Sequence, residues 1–298
     1  MRTSIKVGIG LSAVALVAGA TVHTVQFGPV ATQVAAPTVA WTDIQPTLQQ
    51  LQSIADQNGG TRAHGTNGYT ASVTYIKGQL DAAQIPTKLV PFTAGGKTAN
   101  NLIADVPGGD ENAVSMFGGH LDSVTAGPGI NDNGSGAAAV LAVALAAAKS
   151  PTKPKGHLRF AFWGAEELGD LGSAAWVNAQ PATELAKIKN YINVDMVGAF
   201  DHGNQTWGLY GKKGDALWTG LDGYIKGQGK QTKDVTSEAG DRSDHAAFKR
   251  KGIPWVGLVS DTVPACYHQA CDKINTVIPD VNTFAANATA DLLYKLAG

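Results

Sequence analysis

The strongest constraint on the fold is an alternation of short β-rich runs with helical stretches along most of the chain. Residues 88–92, 101–106, 113–117, 158–163, 192–196, 206–210 and 255–259 are compact runs enriched in β-branched and aromatic residues. Residues 44–56 repeat apolar side chains at helical spacing through Ile44, Leu48, Leu51 and Ile54, and residues 67–83 do so through Tyr69, Val73, Ile76 and Leu80. Residues 136–149 are Ala-rich and apolar nearly all round, the pattern of a buried helix. Residues 217–224 and 280–296 read as two further helices. Strands alternating with helices predict an α/β fold: a single domain with a mixed, mostly parallel central sheet and helices on both faces. In such sheets functional groups gather in the loops beyond the strand ends.

Composition agrees with one well-packed domain. Of 298 residues, 44% are hydrophobic and 16% charged, too apolar for a disordered or fibrous chain. A formal charge of -1 offers no attraction to nucleic acid or to an anionic membrane. The N-terminus reads as an export signal: Arg2 and Lys6, then an uncharged and mostly apolar stretch over 7–22, with Ala18-Gly19-Ala20 as a cleavage site. The alternative is a membrane anchor, which needs about 20 predominantly apolar residues. Residues 21–40 are uncharged and rich in Ala, Val, Thr and Pro, a linker or short pro-segment. The expected division is therefore 1–40 for signal and linker and 41–298 for the functional domain, a secreted monomer with no membrane attachment after signal removal. Two cysteines, Cys266 and Cys271, favour one disulfide in an exported chain, two buried thiols being the alternative.

Five clusters of acidic and imidazole side chains sit at the ends of these runs. Gly118-Gly119-His120-Leu121-Asp122-Ser123 follows an apolar run directly, so His120 can project from a strand end into a cleft. Asp122 can accept the imidazole's other N–H and fix its tautomer. Gly129-Ile130-Asn131-Asp132-Asn133-Gly134-Ser135-Gly136 opens the buried helix, and its glycines permit tight turns. The Asp132 carboxylate can offer one oxygen to each of two cations. The run 158–163 ends in Gly164-Ala165-Glu166-Glu167-Leu168-Gly169. Two adjacent carboxylates behind an apolar strand are costly unless compensated. Outside a regular element they can point apart, one at a metal and one at a substrate. Asp195 lies inside an apolar run, and His268 lies between the two cysteines.

Each cluster alone has an ordinary reading. His64 and His157 read as surface or hydrogen-bonded residues, Glu166-Glu167 can be a helix N-terminal pair, and Asp195 can be a buried salt-bridge partner. No P-loop lysine, Gly-x-Ser-x-Gly elbow or His-Glu-x-x-His pair is present, so those hydrolase chemistries lack their parts. Two histidines and three carboxylates at strand ends suit zinc. Spacing by itself leaves both readings open.

Taken together the clusters resemble the secreted two-zinc aminopeptidases of the Streptomyces leucine-aminopeptidase type, whose relatives include glutaminyl cyclases and the transferrin receptor ectodomain. The resemblance runs from about residue 44 to the C-terminus. It also takes in Asn58-Gly59-Gly60-Thr61-Arg62-Ala63-His64-Gly65, Asn101-Leu102-Ile103-Ala104-Asp105 and Gly240-Asp241-Arg242-Ser243-Asp244-His245. It implies two zinc ions, one on His120 and Asp195, the other on Glu167 and His268, with Asp132 bridging and a cis peptide between Asp132 and Asn133. It further implies Glu166 as general base, Tyr267 as the phenol that stabilises an oxyanion, and Arg242 as a residue that orients the bound peptide. The expected substrates are peptides with a free N-terminus and an apolar first residue, Met196 and Val259 contributing to that pocket. The stretch from 258 to 266 is short for the family, so no order is expected among apolar residues. Alternatives on the same scaffold are a single-zinc glutaminyl cyclase, a carboxypeptidase or deacetylase, and a non-catalytic binding module.

Overall fold

The computed structural model describes residues 34–200, 205–260 and 263–298. The expected export signal lies outside the described residues, as does most of the linker. Helices α1 (Trp41–Gln57) and α2 (Asn67–Ala82) come first, and the apolar residues that announced them are buried. Thr66 caps α2, its hydroxyl accepting from the Tyr69 N–H at 3.3 Å. Strands β1 (Thr87–Ala94), β2 (Lys97–Val106) and β3 (Asp110–His120) lead to the buried helix α3 (Gly136–Lys149). Then follow β4 (Gly156–Trp163), α4 (Leu171–Ala179), α5 (Ala182–Leu185), β5 (Ile188–Val194) and β6 (Thr206–Gly211). The chain continues through α6 (Ala216–Gly227), β7 (Gln231–Asp234), α7 (Thr236–Ala239), α8 (His245–Arg250), β8 (Trp255–Ser260) and α9 (Pro279–Ala297).

The eight strands form one sheet in the order β1-β2-β4-β3-β5-β8-β6-β7. Neighbours from β4 through β3 and β5 to β8 are parallel, as are β6 and β7, while the other three ladders are antiparallel. The expected mixed, mostly parallel sheet is what forms. Period-two alternation splits the core into two layers. Phe117, Phe160, Phe162 and Ile192 point to the layer holding α3 and α9, whereas Met116, Trp163 and Tyr191 point to the layer holding Phe248 of α8 and Trp176 of α4.

The consequence for function is directional. Strands β3, β4, β5 and β8 run the same way, so their C-terminal ends reach one edge of the sheet, where His120 pairs with Trp163 and Val194 with Leu258. The loops leaving those ends carry the predicted clusters. Gly119 is needed there, because a Cβ at that position would lie 2.7 Å from the Val194 carbonyl oxygen. β7, α4, α5, α7 and α8 were not expected. β7 is a polar edge strand, Gln-Thr-Lys-Asp, without apolar alternation, and the helices are too short to show a period.

Candidate metal centre

His120 ends β3 fully buried, and its Nε2 faces three carboxylates: Asp132 Oδ1 at 3.3 Å, Asp195 Oδ1 at 3.4 Å and Glu166 Oε2 at 3.8 Å. Its Nδ1 lies 3.2 Å from the backbone carbonyl of Asp122 and 3.6 Å from that residue's carboxylate. The nearer acceptor is thus the carbonyl rather than the expected carboxylate. Asp122 Oδ1 instead accepts the Glu166 N–H at 3.2 Å, tying the third cluster to the first.

Asp132 turns its other oxygen, Oδ2, to His268 Nε2 at 3.2 Å, and Glu167 Oε2 approaches the same nitrogen at 2.9 Å. The loop that presents Asp132 is held from several directions. Asp272 accepts the N–H groups of Asn131 and Asp132 at 2.8 and 2.9 Å. Asn133 donates to Val194 O at 2.8 Å and accepts from Gly136 N and Met196 N, and the Asp132–Asn133 peptide is cis. Arg62 is completely buried and donates to the carbonyls of Leu121, Pro128 and Gly129. Asp195 Oδ2 accepts from Ser243 Oγ at 2.8 Å. Ala165, Met196 and His268 all adopt left-handed backbone, with φ of 53°, 50° and 56°, so the chain bends sharply beside Glu166, beside Asp195 and at His268 itself. Such strain concentrates at functional sites.

Tyr267 and His268 sit in the loop closed by the Cys266–Cys271 disulfide, with their rings stacked at 3.8 Å between centroids. Met196, Val259, Tyr267 and Arg242 line one cleft with Asp132, Glu166 and Asp195. The Arg242 guanidinium donates to the carbonyls of Glu238 and Ala239 at the end of α7 while it lines the cleft. His64 and His157 are hydrogen-bonded residues away from the centre, as their isolation suggested. Three contributors carried no role in the sequence reading: Arg62, Ser243 and Asp272. All lie within or beside quoted motifs, but their partners are distant in the chain.

The electrostatics ask for cations. Burial pushes the Glu166 carboxyl well above its ordinary value, and burial beside Asp132 raises Glu167 to about 8. Asp132, although burial opposes it, is held at about 2 by hydrogen bonds from His120 and His268. Glu167 Oε1 is buried without any hydrogen-bond partner. Four carboxylates around two imidazoles leave surplus negative charge in a low-dielectric site, which a bound divalent cation compensates. Ligand-capable atoms of His120, Glu166 and Asp195 lie within 4.8 Å of one another, as do those of His120, Asp132 and Glu167. These groupings include Glu166 and omit His268, whereas the resemblance reverses both. The 2.9 and 3.2 Å approaches of His268 show that it too can join a metal site with Glu167 and Asp132. Oxygen and nitrogen donors in this number fit zinc.

Comparison with known proteins agrees with this geometry. The chain is 45% identical to leupeptin-inactivating enzyme 1 of Streptomyces exfoliatus over 81% of its own length and 58% of that enzyme. It is 37% identical to an aminopeptidase of Pseudomonas aeruginosa, over 64% of this chain and 40% of that one. It therefore spans about half the length of the curated relatives it matches. A zinc aminopeptidase from Bacillus subtilis, BSAP, shares the fold with a TM-score of 0.75 at 17% identity, over 86% of this chain and 95% of that one. Residues 101–293, which carry the five clusters, match peptidase family M28, and the chain belongs to that family.

Proposed function

We propose that the chain is a secreted, monomeric two-zinc aminopeptidase that releases single apolar residues from the free N-terminus of peptides. Residues 41–298 are its catalytic domain, and residues 1–40 are an export signal and linker. No helix among the described residues is long and apolar enough to cross a membrane. The observation that carries the reading is the placement of Asp132 between His120 and His268, one oxygen toward each, with Asp195 on one side and Glu167 on the other. His120 and Asp195 would hold one zinc, His268 and Glu167 the second, and Asp132 both. When bound, such ions acidify a water and polarise the scissile carbonyl.

The protein's own groups do the rest. Glu166, adjacent to the ligands but left for other work, takes the attacking water's proton and delivers it to the departing amine. The Tyr267 hydroxyl donates to the oxyanion as the carbonyl becomes tetrahedral. Glu166 and Asp195 line the cleft near where a free α-ammonium would sit and favour its charge. That preference makes the enzyme an exopeptidase. Beyond them Met196, Tyr210, Val235 and Val259 give the cleft apolar surface. That surface accepts apolar side chains.

The test compares leucyl and N-acetyl-leucyl p-nitroanilide with metal analysis of the same preparation. The expected result is two zinc ions per chain, release from the free amine and almost none from the acetylated compound. Comparable cleavage of both substrates would remove the aminopeptidase assignment, even with both metals present. Cyclisation of an N-terminal glutamine without release of an amino acid would point to the cyclase alternative.

A further inference from the structure

A string of polar side chains crosses the apolar layer between the sheet and α8, where each member must be satisfied to be tolerated. Tyr191 and Asn193 stand at i and i+2 of β5, so both face that layer. The Trp163 indole N–H donates to the Tyr191 hydroxyl at 2.9 Å, and that hydroxyl donates to Asn193 Oδ1 at 2.9 Å. The Asn193 amide nitrogen donates to the Tyr210 hydroxyl at 2.8 Å and to Ser243 Oγ at 2.9 Å. Ser243 in turn donates to Asp195 Oδ2 at 2.8 Å, and every member of the string is buried. Room is reserved for it: a Cβ at Gly118 would press within 3.1 Å of both Trp163 Nε1 and the Tyr191 hydroxyl, and the Phe248 ring of α8 stacks on Tyr191 at 3.8 Å.

The direction of the string is set at its far end. An indole nitrogen only donates, so the Tyr191 oxygen accepts there and its own proton goes to Asn193 Oδ1. That contact fixes which way the Asn193 amide faces and commits both of its protons, one to Tyr210 and one to Ser243. Ser243 Oγ, having accepted, gives its single proton to Asp195 Oδ2. Reversing the amide would deprive the Tyr191 proton of this acceptor and draw the Ser243 proton away from Asp195, both at a cost. Asp195 Oδ1, the oxygen the string leaves alone, is the one that faces His120 Nε2 at 3.4 Å.

We propose that Asn193 and Ser243 are positioning residues of the metal centre, the string from Trp163 holding Asp195 Oδ2 so that Oδ1 is presented to the zinc it would share with His120. The inference rests on the two-zinc reading and adds what aims one of its carboxylates. Partners that orient a ligand govern metal affinity as well as geometry. Asp132 is held by a different support, since its N–H is accepted by Asp272. The two zinc positions therefore depend on separate devices, and loss of the string should be felt at one position.

The experiment loads metal-free full-length protein with zinc and reads each binding step by chelator competition, in wild type, Ser243→Ala, Tyr191→Phe and the double variant. Ser243→Ala should weaken one zinc about 10- to 100-fold and leave the other within about threefold. The weakened ion should be the one that remains bound in Glu167→Ala. Tyr191 touches neither Ser243 nor Asp195, yet Tyr191→Phe frees the amide to turn, so it should weaken the same zinc about tenfold. Once the Ser243 hydroxyl is gone the amide has nothing to redirect, so adding Tyr191→Phe to Ser243→Ala should change that affinity less than about twofold further. A role confined to the fold would instead lower the Tm of the metal-free protein and weaken both ions together. Unchanged affinity in Ser243→Ala, equal weakening of both ions, or additive losses in the double variant overturns the proposal. Ser243→Ala removes only a hydroxyl at the cleft wall and decides the matter by itself should Tyr191→Phe not fold. A wild type that binds fewer than two zinc ions would remove the two-zinc reading first and this inference with it.

Discussion

Asp272, next to Cys271 and given no role by the sequence, is the group whose replacement most sharply tests how the Asp132 carboxylate is held. Its two oxygens accept the N–H groups of Asn131 and Asp132 at 2.8 and 2.9 Å, and the residue is 3% exposed. Hydrogen bonds to a charged acceptor contribute about 1.5–3 kcal/mol each. Asp272→Asn preserves the shape, keeps one bond and turns the other into an N–H facing an N–H. The loss should therefore be about 2–3 kcal/mol, or roughly 30- to 150-fold in an equilibrium constant. Part should fall on the fold and part on metal affinity, because the same loop aims Asp132 at both imidazoles. Loss of a partner that orients a ligand typically lowers metal affinity 10- to 100-fold. The assay is zinc affinity by chelator competition, with thermal unfolding of metal-free and zinc-loaded protein. For a domain of this size the stability share should lower Tm by a few degrees, at about 2–4 °C per kcal/mol. An Asp272→Asn protein that binds zinc within threefold of wild type and melts within about 1 °C of it would refute the reasoning.

Further outcomes can be set beside that one. Glu166→Ala should retain both zinc ions and lose at least about 100-fold in turnover, whereas Glu167→Ala should lose metal at one position; the reverse pattern would exchange the two roles. Reducing the Cys266–Cys271 bond should lower activity more than Tm, because the loop it closes is short but carries Tyr267 and His268; equal activity with two free thiols counts against this. His157 is raised by its hydrogen bond to Asp105, so its contribution to stability is complete below the unfolded value of about 6.5 and is lost as pH rises through the raised folded value. The Tm difference between wild type and His157→Gln should accordingly be largest at acid pH and shrink above neutrality, and a difference that grows with pH contradicts the assignment.

The legible part of the molecule is the part built on local repetition. Apolar periodicity marked α1 and α2 because each buries a stripe, and continuous apolar runs marked α3, β3, β4 and β5 because these are buried nearly all round or on both faces. β7 escaped because an edge strand of Gln-Thr-Lys-Asp needs no apolar face. The functional clusters were visible for a related reason: charges placed directly after buried strands are expensive, and a chain keeps them there only for a purpose. Glu166 and Glu167 show how far that reaches. Adjacency implied divergent directions, and the left-handed Ala165 before them lets one approach His120 while the other meets His268.

What stayed hidden depends on partners far along the chain. Asp272 meets Asn131 across 141 positions, Ser243 meets Asp195 across 48, and Arg62 reaches carbonyls about 60 positions away. Asp272 stands beside the cysteine cluster, but its meaning arises only when the loop after β8 folds back over the loop that opens α3. Arg242 is the converse case. Its motif was recognisable, but the direction of its side chain is set by α7 just before it, which leaves carbonyls to be capped. Motif matching thus located the residue, while the unsatisfied end of a one-turn helix decided what the residue does.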